Sequence, residues 1–403
     1  MRIAMIGQKG VPGLMRESGG IERHVEELSA RLAQSGHQVS VYIRPRFLKQ
    51  DEKEYKGIKL VSLPSIPTKN LDTITHVFFA TLHVLFQKVD VIHYHGVGPS
   101  TLAWIPRVFK PRARVIVTFH SIDRFHKKWG IFARWYLGFG EWTACHFPHQ
   151  TIVVSHAIQE YCKRKYNKDT VYIPNGVSIH LMNNDSKIKH FGLKREEYIL
   201  TVARLIKHKG IHYLIQAYKK LERHFGSDAK NWPGGILRKL VIVGAPSFTE
   251  DYMVYLKRLA NNNPNIIFTG FQTGAMLCQL FANAYLYVHP SEAEGLSITI
   301  LEAMSHGKCV LVSDIPENLE LIDHAGYSFE SKNVDDLFEK LVFLLDFSEA
   351  VQRRGEHGVE FLREHFNWTD ITAHVLAVYQ NKPSKFPLRL NKVPSLASAS
   401  ERP

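Results

Sequence analysis

The sequence predicts an α/β protein of two doubly wound domains, and three observations carry that expectation. Short runs rich in Val and Ile alternate with amphipathic helical stretches through the first half of the chain. The same alternation begins again in the second half. The 403 residues exceed one ordinary domain, and an apolar content of 45% is ample for two packed cores.

In the first half the expected strands are Arg2–Ile6, Gln38–Ile43, Val89–Tyr94, Arg114–Phe119, Thr151–Ser155 and Val171–Ile173. Most are apolar throughout, as strands covered by helices on both faces should be. Between the first two, Ile21, Val25, Leu28 and Leu32 share one face of a helix that Gly36 is placed to stop. In the second half the strands are Tyr198–Val202, Leu240–Val243, Ile266–Thr269, Tyr285–Val288 and Cys309–Ser313, with helices at Ile211–Arg223, Ala275–Asn283 and Ser297–Ser305. Pro174-Asn175-Gly176 closes the first half, and the polar stretch Asn183–Lys189 reads as the linker. One domain is therefore expected over 1–188, joined by a final helix near 367–381, and a second over 189–366. The Pro/Ser/Lys-rich tail, 382–403, is expected to be disordered.

Composition narrows the function classes. The four cysteines, Cys145, Cys162, Cys278 and Cys309, lie far apart, which argues against a disulfide framework and fits a reducing cytosol. The opening MRIAMIG is too short an apolar stretch for a signal peptide. The most apolar segment, Ile74–Phe86, contains His76 and His83 and falls short of the roughly 20 residues of a membrane span. A cytoplasmic protein, soluble or peripheral at the inner face of a membrane, is expected. The net charge of +13 is uneven: residues 1–185 hold 25 Lys and Arg against 14 Asp and Glu, an excess of +11. A basic half suits an anionic partner, whether nucleic acid, anionic lipid or a phosphorylated substrate, or it serves solubility alone.

Four constellations bear on chemistry. Gly19-Gly20 precedes the first helix, where a tight turn and free N–H groups could receive a phosphate. Gly7, Gly10 and Gly13 do not make the dinucleotide fingerprint, and Walker A spacing is absent. Arg204 and Lys209 follow the first strand of the second half, where open sheets bind ligands, and could converge on one diphosphate. Glu294 and Glu302 stand eight residues apart, the first in a loop and the second about two turns into the next helix. Carboxylates so placed could grip two different sugars, with Glu292 a nearby competitor; the amides around Ser297 and Ile298 could bind anionic oxygens. His120 follows the strand Arg114–Phe119 and could donate to a phosphate or sugar hydroxyl. His93-x-His95 also ends a strand, but no third ligand has a recognisable metal spacing, so no metal is expected.

Together these elements resemble the retaining glycosyltransferases of the GT-B fold, family 4, over roughly residues 1–380. The family's Glu-x7-Glu motif is met as Glu294…Glu302 in SEAEGLSITILEAMSHGKCVLVSD, and its phosphate-binding Arg and Lys as Arg204 and Lys209 in VARLIKHKG. Its glycine turn is met in GGIERHVEELSARL, its PNGV segment at Pro174–Val177 and its strand-end His as His120 in TFHS. The opening GQKGVP…GGIERHVEEL resembles a bacterial subset that builds exopolysaccharide and O-antigen chains. Two departures stand out: Leu296-Ser297 replaces the frequent Phe-Gly after Glu-Gly, and Thr299 takes a common Pro position. They border the donor sugar and leave its identity open.

The resemblance implies two Rossmann-like domains facing a central cleft. It implies transfer of a sugar from a nucleotide-diphosphate sugar, UDP- or GDP-linked, to a hydroxyl of a glycan or lipid-linked glycan, with retention and without a metal or other cofactor. Arg204, Lys209 and the amides near Gly19-Gly20 would stabilise the departing diphosphate. Glu302 would hold the ribose hydroxyls, Glu294 the donor-sugar hydroxyls, and His120 the donor sugar or phosphate, with Ser297 and Ile298 beside them. A sugar-nucleotide epimerase of the same fold and a non-catalytic glycan-binding protein are the rival readings; nucleic acid is not an expected partner. Finally, Arg124–Tyr136 mixes Arg124, Lys127, Lys128 and Arg134 with Trp129, Phe132, Trp135 and Tyr136, a composition suited to an anionic membrane surface, to a core helix or, so close after His120, to a wall of the acceptor cleft.

Overall fold

The computed structural model describes residues 1–12, 19–47, 52–68, 71–122, 124, 130–247, 249–322, 325–384 and 386. The chain divides into two units, residues 1–176 with 366–386, and residues 177–365. Parts of two expectations lie outside the described residues: GLMRE and Ser18 of the glycine-turn segment, and Phe125–Trp129 of the basic aromatic segment. So does the tail from 387 onward.

In the first unit one sheet is built from Arg2–Ile6 (β1), Gln38–Ile43 (β2), Glu54–Tyr55 (β3), Ile58–Ser62 (β4), Val91–His95 (β5), Arg114–Phe119 (β6), Gln150–Val153 (β7) and Val171–Tyr172 (β8). Their order is β3-β4-β2-β1-β5-β6-β7-β8, parallel except for the β3–β4 pair. Successive residues of a strand point to opposite faces, so β1 feeds two cores. Ile3 and Met5 pack with Val25, Leu28 and Ile371 from the helices Gly20–Gln34 and Trp368–Tyr379. Ala4 and Ile6 pack with Val77, Ala80 and Ala144 from the helices Leu71–Leu85 and Ile131–His146. The chain first builds outward from β1 through β2 to β4, then returns to place β5 on the other side. The crevice at the carboxyl ends of β1 and β5 is thus a topological switch point, where such sheets receive ligands. Gly7 ends β1 with φ 122°, and a Cβ there would lie 2.5 Å from the His95 carbonyl oxygen, so only glycine lets β1 and β5 end this close together.

The second unit repeats the plan with Tyr198–Val202 (β9), Lys239–Val243 (β10), Ile266–Gly270 (β11), Leu286–His289 (β12), Val310–Ser313 (β13) and Gly326–Phe329 (β14). The order is β11-β10-β9-β12-β13-β14, all parallel, with the switch point between β9 and β12. The helix Ile211–Phe225 buries Ile211, Leu214, Ile215, Tyr218 and Leu221 against the sheet, a spacing that follows the helical period.

Three expectations are corrected. The units divide after Gly176, not at 188: Asn183–Lys189 is tied into the second unit, where Lys187 N–H donates to Gln279 Oε1 and Asn283 Nδ2 donates to the Asn184 carbonyl. The hairpin strands β3 and β4 were not expected, because β3 lies in the charged run DEKEYKG and IKLVS alternates buried and exposed beside it. Nor was β14, whose GYSF lacks Val and Ile.

Candidate functional site

In the second unit, the loop after β9 is fastened across the switch point to the loop after β12. Gly210 adopts φ 67°, and a Cβ there would lie 1.8 Å from the Pro290 carbonyl oxygen. Glu292 N–H donates to the His208 carbonyl at 2.7 Å, and Ser291 Oγ to the same oxygen at 3.2 Å. This fastening carries Lys209 to Glu294, with Nζ and Oε1 2.5 Å apart and both side chains largely buried. His289, the last residue of β12, places Nε2 2.6 Å from the same Oε1.

The electrostatics of this trio follow from its burial. Burial alone would raise the Glu294 carboxyl, but Lys209 and then His289 outweigh it and hold the carboxyl well below the ordinary range. Burial lowers the His289 imidazole, opposed by Glu294. A carboxylate only accepts, so neutral His289 must carry its proton on Nε2, leaving Nδ1 to accept from the Tyr287 hydroxyl at 3.1 Å. Ser297 Oγ lies 3.4 Å from His289 Nε2 and 3.1 Å from Thr299 Oγ1. Ser297 stands at the N-cap position of the helix Ile298–Ser305 without a capping bond from its side chain, and the first turn leaves N–H groups at Ile298 and Thr299 without an intrahelical acceptor.

The structure therefore gathers Lys209, Glu294 and Ser297 into one cluster. Glu302 is buried on the helix, only its fifth residue rather than two turns in. Buried Tyr287 feels the charge of both Glu294 and Glu302, so both carboxylates lie near it. Arg204 shares the β9 loop but is exposed, with no carboxylate partner among the described residues, and Lys207 is likewise, so Lys209 differs from the other two cations of the loop. Glu292, the competing carboxylate, is held elsewhere by Tyr213 at 3.1 Å and Lys332 at 3.7 Å. Sequence reasoning missed His289 and Glu317. Each lies just after or at a strand end, β12 and β13 respectively, and that position was the available signal. Burial, with repulsion from Glu320 and Glu294, raises the Glu317 carboxyl to about 7.

In the first unit, His120 follows β6 and is buried. Its Nε2 lies 3.2 Å from His95 Nδ1. His93 contacts the Tyr379 hydroxyl at 2.6 Å and Thr118 Oγ1 at 2.7 Å. His24 joins them, its ring 5.0 Å from that of His120. Burial is the main reason all four imidazoles are lowered, His24 to about 4. At neutral pH the stack is uncharged. His24 is the third histidine that sequence spacing did not reveal. Its signal was its place with Ile21, Val25 and Leu28 on the inward helical face. One nitrogen each from His24, His95 and His120 lie within 4.8 Å of one another, a set able to hold a transition metal.

The Gly19-Gly20 turn differs from expectation in one respect. The Glu22 carboxylate folds back over the helix start, accepting from Gly19 N–H at 2.7 Å and Lys9 N–H at 3.1 Å. Half a capping box thus occupies the amide assigned to a phosphate, and Gly20 opens the helix beside it.

Comparison with known proteins bears on both units. Residues 18–181 match the family model described as Glycosyltransferase Family 4, and residues 183–361 the model described as Glycosyl transferases group 1. An uncharacterized glycosyltransferase of Methanocaldococcus jannaschii is 29% identical, over 94% of this chain and 98% of its own. The UDP-Gal:alpha-D-GlcNAc-diphosphoundecaprenol alpha-1,3-galactosyltransferase of Escherichia coli is 25% identical, over 64% of this chain and 67% of its own. Among solved structures, Anabaena HepE in complex with UDP-glucose superposes with a TM-score of 0.75 at 20% identity, covering 94% of this chain and all of that one. Two α/β units, each with a switch point in its sheet, and family matches on both halves lead to one conclusion: the chain is a nucleotide-sugar-dependent glycosyltransferase of the GT-B fold.

Proposed function

We propose that this transferase moves a hexose from a UDP- or GDP-sugar to a hydroxyl of a lipid-linked glycan, with retention and without a metal, in the assembly of a surface polysaccharide. The observation that carries the reading is the Lys209–Glu294–His289 cluster fastened across the β9/β12 switch point. Arg204 and Lys209 neutralise the diphosphate as the bond from its oxygen to the sugar C1 breaks. The acceptor oxygen bonds to C1 and its proton passes to the departing phosphate oxygen. Glu294, held ionised, accepts hydrogen bonds from donor-sugar hydroxyls, with its orientation fixed by His289. Glu302 holds the ribose, and the Ser297 and Ile298 amides face anionic oxygens. His120, neutral, serves the donor sugar or phosphate. The E. coli relative's diphosphoundecaprenol acceptor supports a lipid-linked substrate, and HepE's UDP-glucose supports a UDP donor. Nothing favours the epimerase or the non-catalytic binder over this reading.

The test is a thermal-shift panel of UDP-, GDP- and dTDP-sugars, since a ligand raises apparent stability by mass action. NMR of the product anomeric proton follows with the donor that binds. An inverted anomer would overturn retention, and no shift with any nucleotide sugar would overturn the site.

A further inference from the structure

The outward face of three helices in the first unit is apolar where a water-facing helix is ordinarily polar. The helix Ile131–His146 exposes Ile131, Phe132, Trp135, Phe139 and Trp142. At 100° per residue these five fall within an arc of roughly 100°, one continuous stripe. The helix Leu71–Leu85 exposes Leu71, Phe78, Phe79 and Leu82, followed by Phe86, and the helix Trp104–Phe109 exposes Trp104, Val108 and Phe109. Phe86, Phe132 and Trp135 are each more than 80% exposed. The inward side of all three is already spent: Val77, Ala80, Val84, Ala103 and Ala144 form one core over the sheet. Apolar side chains spread over three neighbouring helices exceed what an ordinary surface shows singly.

None of the three helices exposes a carboxylate. The three helices carry only two carboxylates, Asp72 and Glu141, and both are buried. Asp72 is bound by Arg44, Arg46 and Ser65, and Glu141 by Tyr161 and Tyr166. Arg134 is exposed next to Trp135 on the striped helix, and Lys88 and Arg112 are exposed just after the ends of the other two helices. Arg124, expected to face outward, instead lies 3.5 Å from Glu141. No helix among the described residues is long and apolar enough to cross a membrane. Aromatic rings flanked by cations, with acids withdrawn, fit the headgroup layer of an anionic bilayer.

We infer that these three helices dock the transferase on an anionic lipid surface, with Phe132, Trp135 and Phe86 inserted among the headgroups. The inference deepens the lipid-linked acceptor proposed above, and its test uses neither donor nor acceptor, so the two readings fail separately.

The full chain is co-sedimented with phosphatidylcholine vesicles, with and without phosphatidylglycerol. Docking predicts binding to the anionic vesicles and release by high salt. Arg134→Glu should weaken the partition roughly fivefold or more, since each basic residue near the surface contributes about 1 kcal/mol. The pair Phe132→Ser and Trp135→Ser should weaken it at least tenfold, since burying each ring contributes roughly 1.5–3 kcal/mol. Both residues are exposed, so the fold should hold, and an unchanged melting temperature checks it. Brominated lipid should quench the wild type more than Trp135→Phe. Equal partition to neutral and anionic vesicles overturns the inference. So does a dimer by light scattering that the serine pair abolishes while no vesicle binds, which would assign the face to a second copy of the chain.

Discussion

Lys209 Nζ and Glu294 Oε1 stand 2.5 Å apart, joining a cation that follows β9 to a carboxylate that follows β12. Read along the chain, Lys209 has no acidic neighbour and looks free to meet a diphosphate. In the fold its charge is matched, while Arg204, like Lys207, has no carboxylate partner among the described residues. Arg204→Ala should therefore cost about 2–4 kcal/mol of transition-state stabilisation. Lys209→Ala and Glu294→Gln should be strongly non-additive, with a coupling of about 1–3 kcal/mol in a double-mutant cycle of kcat/KM. Additive effects would show that the pair separates before the donor is engaged.

The two glutamates should divide the kinetics. Glu302→Gln is expected to raise the donor KM with kcat nearly kept, because ribose binding is equal in ground and transition states. Glu294→Gln is expected to lower kcat, because its carboxylate is held ionised by Lys209 and His289 beside the reacting sugar. Steady-state kinetics on both variants decide this, and the opposite split would exchange the two roles.

Two sets of buried groups should tilt the pH dependence of stability in opposite directions between about pH 4 and 7. His24 and His76 are lowered to about 4, mainly by burial, so folded imidazoles stay neutral while unfolded ones take up protons below about 6.5. Folding is thus weakened as pH falls from about 6.5 toward 4, by about 1.4 kcal/mol per pH unit for each such histidine. Glu317, raised to about 7, has the opposite sign: its contribution is lost as pH rises from the unfolded value of about 4.5 through 7. Denaturant midpoints from pH 4.5 to 8 check both, with His24→Asn flattening the acid limb and Glu317→Gln the neutral one.

What could be read beforehand follows from the physics of each element. Strands such as Arg2–Ile6 and Tyr198–Val202 were legible to the residue because burial on both faces makes them continuous apolar runs. The helix start at Ile211 was legible, and that at Ile298 to within one residue, because glycine or serine precedes them. The pairing of Lys209 with Glu294 was not, since 85 residues separate them and they meet through the Gly210–Pro290 approach and the bonds of Ser291 and Glu292 to His208. Nor was Glu22 as the anion over its own helix start, because a first-turn glutamate reads as a dipole charge until its reach back to Gly19 is seen. The aromatic stripe of Ile131–His146 carried the right composition, but periodicity alone does not tell an inward stripe from an outward one.

The last prediction concerns metal. Charge on the departing diphosphate is assigned to Arg204 and Lys209, so extensive dialysis against EDTA should leave kcat unchanged. The stack of His24, His95 and His120 makes a different demand. Its imidazoles are neutral, buried and close enough for one ion, and nitrogen donors of this kind suit Zn2+ more than Mg2+. Zinc added in excess should therefore occupy the stack and remove His120 from service, inhibiting transfer. His24→Gln, which takes away one ligand without touching His120, should weaken that inhibition at least tenfold, in line with the loss expected when a coordinating set is disturbed. Two measurements separate the claims. Activity lost on EDTA and restored by Mg2+ or Mn2+ would place a metal at the diphosphate. Inhibition by zinc that His24→Gln leaves untouched would place zinc away from the histidines.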